Sequence, residues 1–279
     1  MMIKSPKRTH DSLILAGGGI GLVSTVSSII GYSLHDLLPE ASIIISVLVV
    51  AAAFIALFVI LYLIIGRVYK EKVKLTINDT SVEICCGDIF HTEGLRVIGC
   101  DTRFDTRVDD TVISRTSLHG RFVLEHGDIP TIEKTVKNAA QRLNLPQNEV
   151  GQYTFPLGSI VKYEKDSEVF LLLAMTELNR DFESHTNMIQ FEQMLMKMWK
   201  EISRVYNGSP VAIPLLGTGM TRFDDGIKDS STLLRCMLCT MHASGVKLKT
   251  VKIVIPDNQG NIPLYEFKDI LRIIPGLSK

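Results

Sequence analysis

Val211-Ala-Ile-Pro-Leu-Leu-Gly217-Thr218-Gly219-Met220-Thr221-Arg222-Phe223-Asp224-Asp225-Gly226 reads as an apolar strand that stops at two glycines, turns polar and leads into a helix. Glycines at such a stop permit positive φ and let backbone N–H groups come close to a ligand. Successive amides near a helix start form a concave donor site whose natural ligand is an anion such as phosphate. The spacing fits neither the dinucleotide fingerprint nor the Walker loop. Taken alone, the same residues read equally well as a tight turn.

Around this stretch, short apolar or alternating runs recur as strands: Val73–Ile77, Val82–Cys86, Arg96–Cys100, Ser159–Tyr163, Val169–Met175 and Thr250–Ile255. Val169–Met175 is apolar on both faces, as in a strand covered on each side. Between the runs lie helical stripes. Ile132, Val136, Ala139 and Leu143 share one face; Met188, Phe191, Leu195, Met198, Ile202 and Val205 share another. The methionines of that second stripe read as core packing. Leu233, Leu234, Met237, Leu238 and Met241 mark a third helix with Asp229 or Ser230 as N-cap, and Tyr265–Ile274 reads as a terminal helix. Strands alternating with helices predict a three-layer α/β domain. The 30 residues from Asp101 to Pro130 show no convincing helix, but Phe104, Ile113, Leu118 and Phe122 predict an ordered loop.

Charge is distributed unevenly over the 279 residues. The 30 Lys and Arg balance 30 Asp and Glu, which excludes a generally basic nucleic-acid binder. Yet Ser12–Leu34 and Ala41–Gly66 hold no charged residue, so the other 230 residues carry all 60 charges. Each window has the roughly 20 apolar residues that a bilayer-crossing helix needs. The first is too long for the hydrophobic region of a signal peptide and is followed at once by the second. Only His35–Glu40 separates them, which predicts a helical hairpin over residues 1–71 and a soluble domain over 72–279. Lys4, Lys7 and Arg8 precede the first window and Arg67, Lys70, Lys72 and Lys74 follow the second, so the positive-inside rule places both termini in the cytoplasm of a two-pass inner-membrane protein. Gly17 and Gly21 form a GxxxG pair that reads either as a helix-packing face, within the hairpin or between chains, or as a tolerated glycine cluster.

Other chemistries find little support. The glycines of Ala16–Val23 follow no strand, which rules out a dinucleotide site there. Cys85, Cys86, Cys100, Cys236 and Cys239 are an odd set; Cys236 and Cys239 form a single CxxC without a second pair, so buried structural cysteines and no metal are expected. No HExxH, GxxxxGK[ST] or GxSxG is present, and the lone His119 reads as a structural hydrogen-bonder.

The order Gly87-Asp88-Ile89-Phe90, an irregular loop after the third strand, and Ile213–Gly219 resembles a macro domain, an ADP-ribose-binding module. The resemblance covers roughly residues 72–279 and implies a mixed sheet flanked by helices, with the ligand at the strand ends. Asp88 would then recognise adenine. Gly217, Thr218, Gly219, Met220, Thr221, Arg222 and Phe223 would wrap the diphosphate and distal ribose, with Asp101, Thr102, Arg103 and Phe104 alongside. Arg103–Phe122, Phe155–Ile160, Leu171–Leu178 and Pro214–Phe223, preceded by two membrane spans, are similar to the two-span effectors of Thoeris antiphage defence. That likeness implies a histidine-conjugated ADP-ribose signal made by a TIR-domain NADase, homo-oligomerisation and membrane disruption.

One departure is informative. Hydrolytic macro domains commonly carry an Asn-rich loop after the third strand, where this chain has Gly99-Cys100-Asp101-Thr102-Arg103. This favours binding, with no catalytic residue and no cofactor, over the rival reading of a tethered ADP-ribosyl hydrolase; a tethered scaffold with an empty cleft is a third reading. Arg103, Arg107 and Arg222 are bidentate donors for phosphate or carboxylate, or else partners of Asp105, Asp109 and Asp110. Phe104 and Phe223 either pack on a ligand ring or fill core.

Overall fold

The structure, a computed structural model, describes residues 6–29, 43–68, 72–179, 182–226 and 229–256. The turn expected at His35–Glu40 and the helix expected at Tyr265–Ile274 lie outside these residues. The described residues fall into two compact units, 6–68 and 72–256.

The first unit holds two helices, α1 (Pro6–Ile29) and α2 (Ile43–Val68). In α2, Val47–Ile65 is long and apolar enough to cross a membrane, with a mean hydropathy of 3.2 and no buried share. Leu48, Ile55 and Leu63 are each more than half exposed, a surface that water does not favour. Among the described residues, the apolar part of α1 is Ser12–Thr25, which is by itself shorter than a span. Ser12 and Ala16 are fully buried, and a Cβ on Gly19 would lie 3.5 Å from Leu57 Cδ2. Gly17 and Gly21 would meet nothing within 4 Å. Within this unit, therefore, the face built on Ser12, Ala16 and Gly19 packs, rather than the GxxxG pair.

The second unit is a mixed sheet between helices. Its strands are β1 (Val73–Ile77), β2 (Thr80–Cys86), β3 (Leu95–Asp101), β4 (Ile160–Lys165), β5 (Glu168–Leu178), β6 (Ser184–Thr186), β7 (Val211–Pro214), β8 (Arg222–Phe223) and β9 (Thr250–Ile255). The order is β1-β2-β9-β7-β3-β5-β6-β8, with β4 on β5. The run β2, β9, β7, β3, β5 is parallel throughout. Helix α4 (Ile129–Arg142) covers one face through Ile132, Val136 and Ala140, in one core with Ile98, Cys100, Phe170, Leu172 and Ala174. Residues of the other parity, Val97, Leu171, Leu173, Ile213 and Ile253, are equally buried. Side chains alternate along a strand, so this face is left to α5 (Met188–Val205) and α6 (Ser230–Ser244). Trp199 Nε1 donates to Thr240 Oγ1 at 3.1 Å and pins α5 to α6. The methionine stripe is core.

Three readings need correction. The Asp101–Pro130 stretch is not helix-free: α3 (Leu118–Arg121) runs into a π-turn, Phe122–His126, and α4 begins at Ile129. Ser117 and Asp128 cap α3 and α4, a start signal too brief to read without the turn it opens. Gly120 permits the close crossing, since a Cβ there would stand 2.1 Å from the Ser114 carbonyl oxygen. The strands β6 and β8, at three and two residues, are too short for a period to register. Finally, only Cys100 is buried, while Cys86 and Cys239 are exposed. Cys236 and Cys239 flank the apolar stripe of α6 instead of joining it.

Candidate functional site

Parallel strands bring their C-terminal ends to one edge, the usual place for a ligand in an open α/β sheet. Here the Gly87 N–H donates to the Ile255 carbonyl at 2.9 Å and the Leu215 N–H to the Val254 carbonyl at 3.0 Å. The turn carrying Asp88 and the loop starting at Leu215 therefore flank the end of β9. The loop from Asp101 leaves the same edge at β3, where the Thr102 N–H donates to the Thr176 carbonyl of β5.

Asp88 is half-buried and well anchored. Its Oδ1 accepts from the Phe90 N–H and its Oδ2 from Arg121 Nη2, both at 3.0 Å. Partial burial would raise its carboxyl, but the Phe90 N–H and Arg121 outweigh it and hold the group below its ordinary value. Asp88 is thus an oriented anion, the form that accepts from an exocyclic amine. Arg121 also lies over the Phe90 ring, 4.6 Å from its centroid. Nothing in the sequence singles out Arg121; it comes 33 positions after Asp88, at the end of α3, and meets it only in the folded chain.

The Gly217–Phe223 loop is rigid at both ends and open at its tip. Gly217 is buried at φ +85°, where a Cβ would sit 3.2 Å from Leu233 and Phe223. The Thr218 hydroxyl donates to the Leu215 carbonyl at 2.9 Å. Gly219 and Met220 are exposed, and a Cβ on Gly219 would meet nothing within 4 Å. Thr221 and Phe223 are buried again, with Phe223 edge-on to Phe191.

Asp101 and Thr102 are buried and build the second loop. Asp101 Oδ1 accepts from the Arg103 N–H at 2.7 Å and Oδ2 from the Asp105 N–H at 3.2 Å. Phe104 takes φ +53°, buries itself and packs edge-on to Phe155. Phe104 and Phe223 thus fill core. Arg107 pairs with Asp109 at 3.3 Å and Arg222 with Glu183 at 2.8 Å. Arg103 differs: its Nε stands 3.9 Å from Asp101, and its buried Nη2 finds no hydrogen-bond partner among the described residues. Burial pushes His119 below its ordinary value, against the opposing pull of Asp101 and Asp105.

A separate groove of about 740 Å³ runs between α5 and α6, lined by Ile189, Met196, Lys197, Lys200, Arg235 and Cys236 among others. No strand-end residue lines it. Burial, then Glu192, pushes the Cys236 thiol up to about 12, so it is a protonated thiol there. Among the described residues no group of three or more His, Cys, Asp or Glu is placed to hold a metal ion.

This geometry has relatives. The chain is 29% identical over 230 residues to Thoeris protein ThsA of Bacillus amyloliquefaciens (strain Y2), covering 77% of this chain and 76% of that protein. A macrodomain of Oceanobacillus iheyensis with ADP superposes with a TM-score of 0.52 at 15% identity, over 73% of this chain and 98% of its own. A mutant of that macrodomain gives a TM-score of 0.51 at 16% identity, over 73% of this chain and all of its own. Those two likenesses establish a macro-like α/β fold. Residues 82–256, which hold the whole strand-end edge, match the family model of Thoeris protein ThsA, macro domain, and to that family the chain belongs.

Proposed function

We propose that the chain is a membrane-anchored effector whose macro domain binds an ADP-ribose derivative, such as histidine-conjugated ADP-ribose made by a TIR-domain NADase. The ligand drives oligomerisation, and the N-terminal helices then disrupt the inner membrane. What supports this reading is one juxtaposition: an oriented carboxylate, Asp88, and an open glycine loop, Gly217–Met220, on either side of the β9 end. The carboxylate suits an adenine amine, and the loop amides with Arg103 suit a diphosphate. The exposed apolar surface of Val47–Ile65 suits a bilayer, and a two-pass hairpin with both termini in the cytoplasm follows from the flanking charges. A ligand shifts assembly only as far as it prefers the assembled state, so affinity and oligomerisation must be linked.

Adding ADP-ribose and its histidine conjugate to the protein in dye-loaded liposomes is expected to raise particle mass and release dye. No change in either overturns the reading. Release of free ADP-ribose from a conjugate by the protein would establish a hydrolase instead. A narrower result is expected of Asp88→Ala. It weakens ADP-ribose binding by about 10–100-fold, the worth of a hydrogen bond to a charged group, and leaves ribose 5-phosphate binding unaltered. Calorimetry distinguishes the two ligands.

A further inference from the structure

Past its pairing with β3, strand β5 carries on and turns back on itself. Its last residues pair with β6, Glu177 with His185 and Leu178 with Ser184. Strand β6 then lies parallel to β8, His185 beside Arg222 and Thr186 beside Phe223. The β5–β6 arm is therefore joined to the tail of the glycine loop. Charged contacts reinforce the joint: Glu183 to Arg222 at 2.8 Å, His185 Nδ1 to Asp224 at 2.7 Å and His185 Nε2 to Glu183 at 3.3 Å. The arm also carries Phe182, whose ring lies 5.2 Å from the Arg107 guanidinium in the loop after β3. One arm touches both loops that leave the strand ends.

We propose that the β5–β6 arm couples the two ligand loops and that His185 is its positioning residue, closing the joint as an imidazolium that donates one N–H to Asp224 and the other to Glu183. The proposal rests on the ligand-binding reading of these loops and adds a control to it. A neutral imidazole has a single N–H and serves only one carboxylate, leaving its other nitrogen facing an acceptor. The charged groups around His185 are Glu183 on the arm, Glu177 opposite it on β5, Asp224 beyond β8, and Arg222 beside it on β8 and paired with Glu183. Loss of the His185 proton therefore makes this cluster one unit more negative. The hydrogen bond to Asp224, then that to Glu183, holds His185 above its ordinary value. The sign follows: the joint is complete below the ordinary histidine value and is lost as pH rises through the raised one. Both loops then loosen together, and an anionic ligand also meets an added negative charge.

The test uses the full chain in liposomes, first without ligand. Hydrogen exchange, corrected for its intrinsic pH dependence, is followed in residues 101–110 and 215–224. His185→Ala is expected to speed both segments about tenfold at pH 6.5, as local opening would. His185→Arg, permanently charged and with several donors, is expected to restore protection and remove its pH dependence. Unchanged protection of 215–224 in the alanine variant overturns the joint; a change confined to 215–224 overturns the coupling. ADP-ribose titration follows, with an affinity loss of about tenfold expected in His185→Ala and recovery in His185→Arg. Unaltered affinity in the alanine variant overturns His185 as a positioning residue of the site. If the wild-type protein binds no ADP-ribose at any pH, the ligand reading fails, while the exchange experiment still judges the arm.

Discussion

Replacing Gly219 with glutamate is expected to weaken ADP-ribose binding by about 100-fold, which corresponds to about 2.7 kcal/mol, while leaving the fold intact. Gly219 has no positive φ, and a Cβ there meets no heavy atom within 4 Å, so the larger side chain is accommodated without strain. What changes is the charge. A carboxylate at the loop tip stands where the amides would face a diphosphate, and two unit charges 4 Å apart repel by about 4 kcal/mol at an effective dielectric near 20. Exposure of the tip reduces this figure, which is why the expected loss is smaller. Calorimetry measures the affinity and circular dichroism the fold. A wild-type affinity in a folded Gly219→Glu protein would remove the glycine loop from the site.

The largest loss of stability is expected at Trp199. Its side chain is fully buried in α5 and donates to Thr240 of α6. Trp199→Ala opens a cavity between the sheet and both helices and leaves the Thr240 hydroxyl without that donor. Large-to-small changes of an aromatic core residue cost about 3–5 kcal/mol. At roughly 2–4 °C per kcal/mol for a domain of this size, the melting temperature falls by roughly 6–20 °C. Thermal unfolding followed by near-ultraviolet circular dichroism reads this directly. Trp199→Phe is expected to lose much less, because the ring volume largely remains.

Much of the fold could be read before any coordinates. Thr250–Ile255 is a strand with the bounds that its apolar, alternating run predicted, and Asp229, one of the two cap candidates, caps α6. These are local signals: an apolar period, an alternating run, a capping carboxylate. The Asp101–Pro130 stretch yielded less because its order is not periodic. It is held by side chains that cap backbone amides, Asp101 to Arg103 and Asp105, Asp109 to Thr111 and Val112, and Asp110 to Arg115. Asp and Ser at such positions also suit a solvated loop, so composition alone does not distinguish the two.

For the candidate site, the residue types were legible and the partners were not. Asp88 and Gly217 stand out by their place at strand ends, a property of the chain near them. Their convergence depends on β9 lying between β2 and β7, two pairings between segments far apart in sequence. The same holds for the arginines. Arg222 finds Glu183, Arg121 finds Asp88 and Arg107 finds Asp109, leaving Arg103 with a buried donor to spare.

The sequence by itself determined the apolar segments, the alternation of strands and helices, and which strand ends carry glycine or carboxylate. Each of these follows from neighbours within a turn or two of chain, where hydrophobic period and backbone freedom act. Only the tertiary structure decided that Phe104 and Phe223 belong to the core, that Arg121 orients Asp88, and that one arm ties together both loops at the strand ends. Those outcomes turn on long-range pairing, because burial and charge pairing depend on what the folded chain places beside a residue and not on what precedes it.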